Sequence, residues 1–225
     1  ADLGIAVDPD VDRLVLVCED GSFFGEEYTI VAITKYILSI YANSTVVSNL
    51  STTRAVKDIA LNLGAMHFES AVGEINVIEL MKDKNAIIGG EGSGGVIFSK
   101  SHYGRDALVG IALFLSFLAT SKMSVKALKE SLPSYFMLKE KISLENKMSF
   151  DFQAFIKHSV DLCKRDGLEY ILIDGIKIYY KSGSWAHVRI SNTEPVVRLI
   201  IEAKTHKQSL EIKQVVLESI NNFLK

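Results

Sequence analysis

Residues 45–72, TVVSNLSTTRAVKDIALNLGAMHFESAV, decide the fold. Thr45 to Leu50 is a short apolar run with β-branched residues, the pattern of a strand buried on both faces. Thr52 to Leu63 reads as a helix, closed by Gly64, which can take the left-handed conformation that ends one. Met66 to Val72 is strand-like again. A strand, a helix and a second strand at this spacing make a parallel pair, because parallel neighbours need a crossover long enough to hold a helix.

The rhythm continues outward on both sides. Glu26 to Tyr41 is an apolar helical stretch, Glu74 to Lys82 is helical, and Ala86 to Ile88 is a strand. A glycine-rich loop follows over Gly89 to Gly95, then a short strand, Val96 to Phe98, and a long helix, Asp106 to Thr120. Alternation of this kind predicts an α/β domain over 23–133. After Pro133 the pattern changes: Tyr135 to Leu144 is a strand, and Ser149 caps a helix through Lys164. Asp174-Gly175 turns a hairpin between Tyr170–Ile173 and Lys177–Tyr180. Strands on either side of residues 191–195 and a last helix from about Lys207 to Leu224 complete an α+β domain over 134–225. The predicted fold class is thus α/β plus α+β: a mixed, largely parallel α/β domain, then an antiparallel sheet with helices on one side. Residues 1–22 read as strand, acidic loop, strand and an Asp20-Gly21 turn. They are expected to be the C-terminal end of an otherwise incomplete domain, and the chain a piece of a longer one.

The chain has 225 residues, 48% of them hydrophobic, enough for a core in each domain. A formal charge of -2 carries no basic excess, which argues against nucleic acid and anionic membranes as partners. The most apolar run, Ala107 to Ala119, is too short to span a bilayer and is expected to be a buried core helix. Cys18 and Cys163 form no CxxC pair and read as buried, reduced thiols of a cytoplasmic protein, with a disulfide between them as the alternative. There is no internal repeat and no targeting segment at the start.

Three segments carry chemistry. Asp8-Pro9-Asp10-Val11-Asp12-Arg13 sets carboxylates at alternate positions just after a strand. Such a trio suits a hard divalent cation, Mg²⁺ above all, and equally suits a solvated acidic turn. A calcium loop is excluded, since its sixth position is Arg13 where a glycine is required. Gly90-Glu91-Gly92-Ser93-Gly94-Gly95 satisfies G-x-G-x-x-G, but a strand follows it, and a dinucleotide site needs a helix there. What remains is a turn presenting a carboxylate, Glu91, and a hydroxyl, Ser93, suited to sugar hydroxyls. Arg189-Ile190-Ser191-Asn192-Thr193-Glu194-Pro195-Val196-Val197-Arg198 brackets a polar turn with two guanidinium forks. It reads as a phosphate monoester site or as a plain polar loop between strands. His102 and Arg105, shortly downstream, are read either as surface or core residues, the favoured reading, or as groups that approach the ligand, and His67, His158, His187 and His206 show no metal-ligand spacing.

Taken together, these segments resemble the loops of the α-D-phosphohexomutases, the phosphomannomutase and phosphoglucomutase group. The decapeptide at 189–198 is similar to the family's phosphate loop, the segment at 90–94 to its Gly-Glu-x-Ser-Gly sugar loop, and the segment at 8–13 to its Asp-Gly-Asp-x-Asp-Arg metal loop. The resemblance implies Mg²⁺ on Asp8, Asp10 and Asp12, with Arg13 near the reactive phosphate. It implies hydroxyl contacts from Glu91 and Ser93, and phosphate contacts from Arg189, Ser191, Asn192, Thr193 and Arg198. The implied reaction interconverts hexose 1-phosphate and 6-phosphate of mannose or glucose, through an enzyme phosphoserine and a hexose 1,6-bisphosphate intermediate.

The chain departs from the family at Pro9 and Gly95, where the family often has Gly and, in some members, His. The phosphoserine segment, similar to Thr-Ala-Ser-His-Asn, is absent. Ser101-His102 lacks its flanking residues, so no nucleophile is assigned and the chain alone is expected to be inactive. Phosphoglucosamine mutase and a non-catalytic phosphosugar-binding module are the alternatives.

Overall fold

The computed structural model describes residues 1–144, 150–191 and 193–224. They divide into two compact units, Ala1–Ser134 and Tyr135–Lys225. In the first, a hairpin of β1 (Leu3–Val7) and β2 (Leu14–Cys18) precedes β3 (Thr45–Asn49), β4 (Met66–Ser70), β5 (Ile88–Glu91) and β6 (Gly95–Phe98). The latter four form one sheet in the order β4-β3-β5-β6. β3 runs parallel to β4 and β5, and β6 runs antiparallel to β5. The sheet is therefore mixed and largely parallel, as the alternation of strands and helices predicts.

Five helices accompany these strands: α1 (Glu26–Ile40), α2 (Ala55–Asn62), α3 (Glu74–Asp83), α4 (Ala107–Ser121) and α5 (Val125–Glu130). Successive residues of a strand face opposite sides of a sheet. In β5, Gly89 lies against Met81 of α3 while Gly90 lies against Ile30 of α1. Helices thus cover both faces, and every residue of β3 and β5 is buried. This explains why the strands read as continuous apolar runs without polar alternation.

The structure differs from the sequence reading at four places in this unit. α2 starts at Ala55 because Asn49 Oδ1 ties up the preceding turn, accepting from Ser51 N and Thr52 Oγ1, both at 2.9 Å. β5 spans Ile88–Glu91, so half of the expected glycine loop is strand. α5 is additional, capped by Ser124, whose hydroxyl accepts from Ala127 N. α4 buries fully only Ala107, Gly110 and Phe114 and leaves Leu108 65% exposed, so it is a one-sided helix and not the buried one expected.

The second unit comprises β7 (Phe136–Ser143), α6 (Phe152–Asp166), β8 (Glu169–Ile171), β9 (Ile176–Tyr179), β10 (Trp185–Ile190), β11 (Val196–Ala203) and α7 (His206–Asn221). Its sheet has the order β7-β11-β10-β9-β8, and every pairing is antiparallel. Ile176, Ala186, Val188, Val197, Leu199 and Ile201 share one core with Phe155 of α6 and with Val216 and Ile220 of α7. By the strand's twofold alternation, His187, Arg189 and Arg198 point to the other face. Asp151 caps α6, accepting from Ala154 N at 2.9 Å; the predicted cap, Ser149, lies outside the described residues.

Candidate functional site

The acidic loop is a closed turn. Val11 N donates to Asp8 O at 3.0 Å, which places Pro9 second in a four-residue turn, where the fixed φ of proline is favoured. Pro9 therefore fits the loop. Asp8 Oδ1 accepts from the amides of Asp12 and Arg13 at 3.2 and 3.0 Å. Val11 adopts a left-handed φ of 58°, uncommon for a β-branched residue. The turn gathers one carboxylate oxygen from each of Asp8, Asp10 and Asp12 within 4.8 Å of one another. Among the described residues, this is the one group of three or more side chains placed to hold a metal ion.

Charge is unevenly shared within the loop. Burial would raise the Asp8 carboxyl, but hydrogen bonds from Arg13 N and from the Asp12 side chain and amide hold it below its usual value. Asp12 is pushed up by burial, against the pull of Arg105 and with the help of Asp8 and Asp10. Asp12 Oδ1 is buried without a hydrogen-bond partner. Arg13 Nε stands 3.6 Å from Asp8 Oδ2 and 3.7 Å from Asp12 Oδ1.

Backbone contacts attach this loop to the glycine segment. β5 and β6 form a hairpin turned by Gly92, Ser93 and Gly94, the last at φ 89°. Gly94 O accepts from Leu14 N at 3.0 Å, and Arg13 pairs with Gly95 as an isolated bridge. Glu91 ends β5 and is only 6% exposed. Its Oε1 accepts from Asn49 Nδ2 at 2.6 Å and from Gly73 N at 3.2 Å, and its Oε2 accepts from Arg105 Nη1 at 2.7 Å. A carboxylate has about four lone-pair sites, so one on Oε2 is left for an outside donor. Ser93, half-buried, stands two residues away on the turn.

Arg105 joins the two loops. Its guanidinium donates to Glu91 and to Asp12 Oδ2 and lies 3.5 Å from Glu74 Oε2 at Nε, while its amide donates to Glu74 Oε1 at 2.7 Å. Burial opposes its charge, but Glu91, Asp12 and Glu74 raise its pKa above the ordinary arginine value. Gly95 makes room for it: a Cβ there would meet Arg105 Cδ at 2.4 Å. Of the placements expected for Arg105, the structure gives the largely buried one, 14% exposed and paired with three carboxylates. The sequence signal was the missing side chain at Gly95, ten positions upstream. His102 does lie at the surface, half-exposed and 2.9 Å from Asp106 Oδ2.

In the second unit Arg189 and Arg198 are direct partners across β10 and β11. Lys141 on β7 pairs with Arg198 in turn, so three cations stand in one row on one face. Asp174, in the turn after β8, accepts from Arg189 Nε at 2.8 Å, and its carbonyl lies 2.6 Å from His187 Nε2. A carbonyl can only accept, so that nitrogen carries the proton; burial lowers the His187 pKa to about 4, and the imidazole is neutral near pH 7. Glu194 binds Arg198 Nη2 at 2.9 Å and Lys141 Nζ at 3.1 Å. Ser191 Oγ is 3.3 Å from Arg198 Nε, and Thr193 is exposed. Asn192 lies outside the described residues. Lys141 and Asp174 were not foreseen, since neither falls within the decapeptide.

Two family sequence models match the chain: the phosphoglucomutase/phosphomannomutase α/β/α domain III over residues 25–136 and the C-terminal domain of the same group over residues 141–219. The chain belongs to the phosphoglucomutase/phosphomannomutase family. A phosphoglucomutase/phosphomannomutase of Thermococcus kodakarensis is 31% identical over all of this chain and 48% of its own length. A phosphoglucosamine/phosphogalactosamine mutase of Sulfurisphaera tokodaii is 29% identical over 90% of this chain and 44% of its own. The crystal structure of a family protein from Burkholderia thailandensis superposes with a TM-score of 0.84 at 25% identity, covering 99% of this chain and 47% of that one. This family member thus spans about half the length of the curated relatives it matches. Among the described residues no helix is long and apolar enough to cross a membrane.

Proposed function

We propose that this chain supplies metal-binding, sugar-binding and phosphate-binding residues to a phosphohexomutase that interconverts glucose or mannose 1-phosphate and 6-phosphate, through an enzyme phosphoserine and a 1,6-bisphosphate intermediate. The observation that carries this reading is the row of Arg189, Arg198 and Lys141, with the Ser191 hydroxyl beside it. Guanidinium groups standing together with a hydroxyl are the donors a phosphate monoester requires. In this reading Arg189, Ser191, Asn192, Thr193 and Arg198 hold the phosphate that is not reacting. Glu91 accepts one sugar hydroxyl at its remaining lone pair, and Ser93 adds a second polar contact.

Asp8, Asp10 and Asp12 fit Mg²⁺: the donors are all carboxylate oxygens, and the buried Asp12 Oδ1 accepts no hydrogen bond from the protein. The ion, when bound, supplies positive charge beside a phosphoryl oxygen. Arg13 adds a guanidinium at the same loop. We take residues 1–22 as the end of a metal-loop domain, 23–133 as the sugar-binding domain and 134–225 as the phosphate-binding domain. We place the protein in the cytoplasm, where the free, buried Cys18 and Cys163 stay reduced.

A second reading, phosphoglucosamine mutase, is favoured by the names of relatives, including one of Methanocaldococcus jannaschii at 26% identity. Calorimetric titration of the chain with glucose 6-phosphate, mannose 6-phosphate, glucosamine 6-phosphate and inorganic phosphate separates the two. Tighter binding of the neutral sugars supports the first, and preference for glucosamine 6-phosphate supports the second. No sugar phosphate binding above that of inorganic phosphate removes both.

A further inference from the structure

Resting on that functional reading, we infer that Arg105 is a positioning residue that fixes the metal loop and the sugar loop relative to each other. One guanidinium touches Asp12, a member of the acidic trio, and Glu91, the carboxylate offered to the sugar, with Glu74 behind both. The side chains of Arg105, Asp12 and Glu91 are 14%, 18% and 8% exposed, so the contacts lie in a region where charges are weakly screened.

The geometry states what the contact does. With Arg105 on Asp12 Oδ2, the oxygen without a hydrogen bond is Oδ1, and Asp12 keeps a ligand atom within 4.8 Å of those of Asp8 and Asp10. With Arg105 on Glu91 Oε2, the carboxylate is held from both ends, since Asn49 and Gly73 N take the other oxygen. Arginine alone can serve both at once, because its planar fork directs separate N–H groups along fixed lines, whereas a lysine is a single point. Gly95 is the matching part of the device. The three atoms nearest to a Cβ at that position all belong to Arg105, at 2.4, 3.2 and 3.6 Å.

The sign of one measurement separates positioning from electrostatics. Arg105 is a positive charge beside a cation site, so as a charge it repels a divalent ion, and its removal tightens binding. As a positioning group it orients a ligand, and loss of such a support weakens metal affinity by about 10- to 100-fold.

The test uses the whole chain, wild type and the variants Arg105→Gln, Arg105→Lys and Gly95→Ala, each verified by a cooperative melt. Mn²⁺ binding is followed through the paramagnetic signal of the free ion, and glucose 6-phosphate and inorganic phosphate binding by calorimetry. Arg105→Gln is expected to raise the Mn²⁺ Kd about tenfold or more and to weaken glucose 6-phosphate while inorganic phosphate is unchanged. Gly95→Ala is expected to reproduce both losses with every charge retained, and Arg105→Lys to restore neither fully. If Arg105→Gln does not melt cooperatively, Gly95→Ala decides. Unchanged or tighter Mn²⁺ binding in the deciding variant, or full rescue by lysine, overturns the inference. A wild-type chain that takes up neither Mn²⁺ nor glucose 6-phosphate brings down the functional reading, and the role of Arg105 with it.

Discussion

Arg189 and Arg198 stand directly across from each other on adjacent antiparallel strands. Like charges at this spacing destabilise a sheet, and Lys141 extends the row on the next strand. Two carboxylates offset the three cations, Asp174 on Arg189 and Glu194 on Arg198 and Lys141. An anion bound beside the row relieves the repulsion further, so binding and folding are linked here.

Phosphate should therefore raise the melting temperature of the chain, by a stabilisation that grows with the logarithm of its concentration above the Kd. Arg198→Ala should weaken hexose phosphate binding by roughly 1.5 to 3 kcal/mol, the worth of a charge-assisted hydrogen bond. Calorimetry reads this directly, and unchanged affinity in a folded variant would remove the loop from the site.

Lys141→Ala should have a smaller effect. Its side chain is 58% exposed, where an ion contact is worth about 0.2 to 1 kcal/mol. The expected outcome is a loss of no more than about fivefold in phosphate affinity, together with a shallower dependence on salt. A loss as large as that of Arg198→Ala would make Lys141 an equal partner in phosphate binding.

Glu91→Gln should weaken glucose 6-phosphate more than inorganic phosphate. It also removes one of the three carboxylates on Arg105, which keeps Asp12 and Glu74, so stability should fall by less than the roughly 3 to 5 kcal/mol of a fully broken buried pair. Urea denaturation measures the second effect and ligand titration the first; a stability loss with both ligands binding normally would assign Glu91 to the fold alone.

His187 should impose a pH dependence on stability. Its folded-state pKa is about 4, below the unfolded value of about 6.5, so the unfolded state takes up a proton first as pH falls. Its contribution is flat above about pH 6.5, and stability declines toward pH 4 by at most about 3 kcal/mol. Comparison of urea midpoints at pH 7 and pH 5 in wild type and in His187→Gln checks it: the variant should lose less on acidification.

The grouping of candidate side chains was legible where they are contiguous. Asp8, Asp10 and Asp12 lie in one turn, and Arg189 and Arg198 flank another and pair across it, so local spacing was enough to group them. Asn49, Gly73 and Arg105 meet Glu91 only because the sheet and its crossovers bring distant segments together, and no local pattern reports that. β5 was read short because Gly89 and Gly90 carry no strand propensity, yet two glycines are what lets α1 and α3 close on that strand from either side. The exposed side of α4 was hidden for another reason: its sequence is apolar all round, so periodicity gives no sense of which face is covered.

β5 also has a kinetic consequence. It is one of the two inner strands of its sheet, bonded to β3 along one edge and to β6 along the other, and Glu91 is its final residue. A buried inner strand is the kind of segment that opens only through large cooperative fluctuations, and the carboxylate is carried at its end. On the proposed function, a sugar reaching Glu91 would meet an acceptor whose direction Asn49, Gly73 and Arg105 already fix. Encounter would then be governed by diffusion and by the charges around that carboxylate, and the lifetime of the complex by the few bonds that must break.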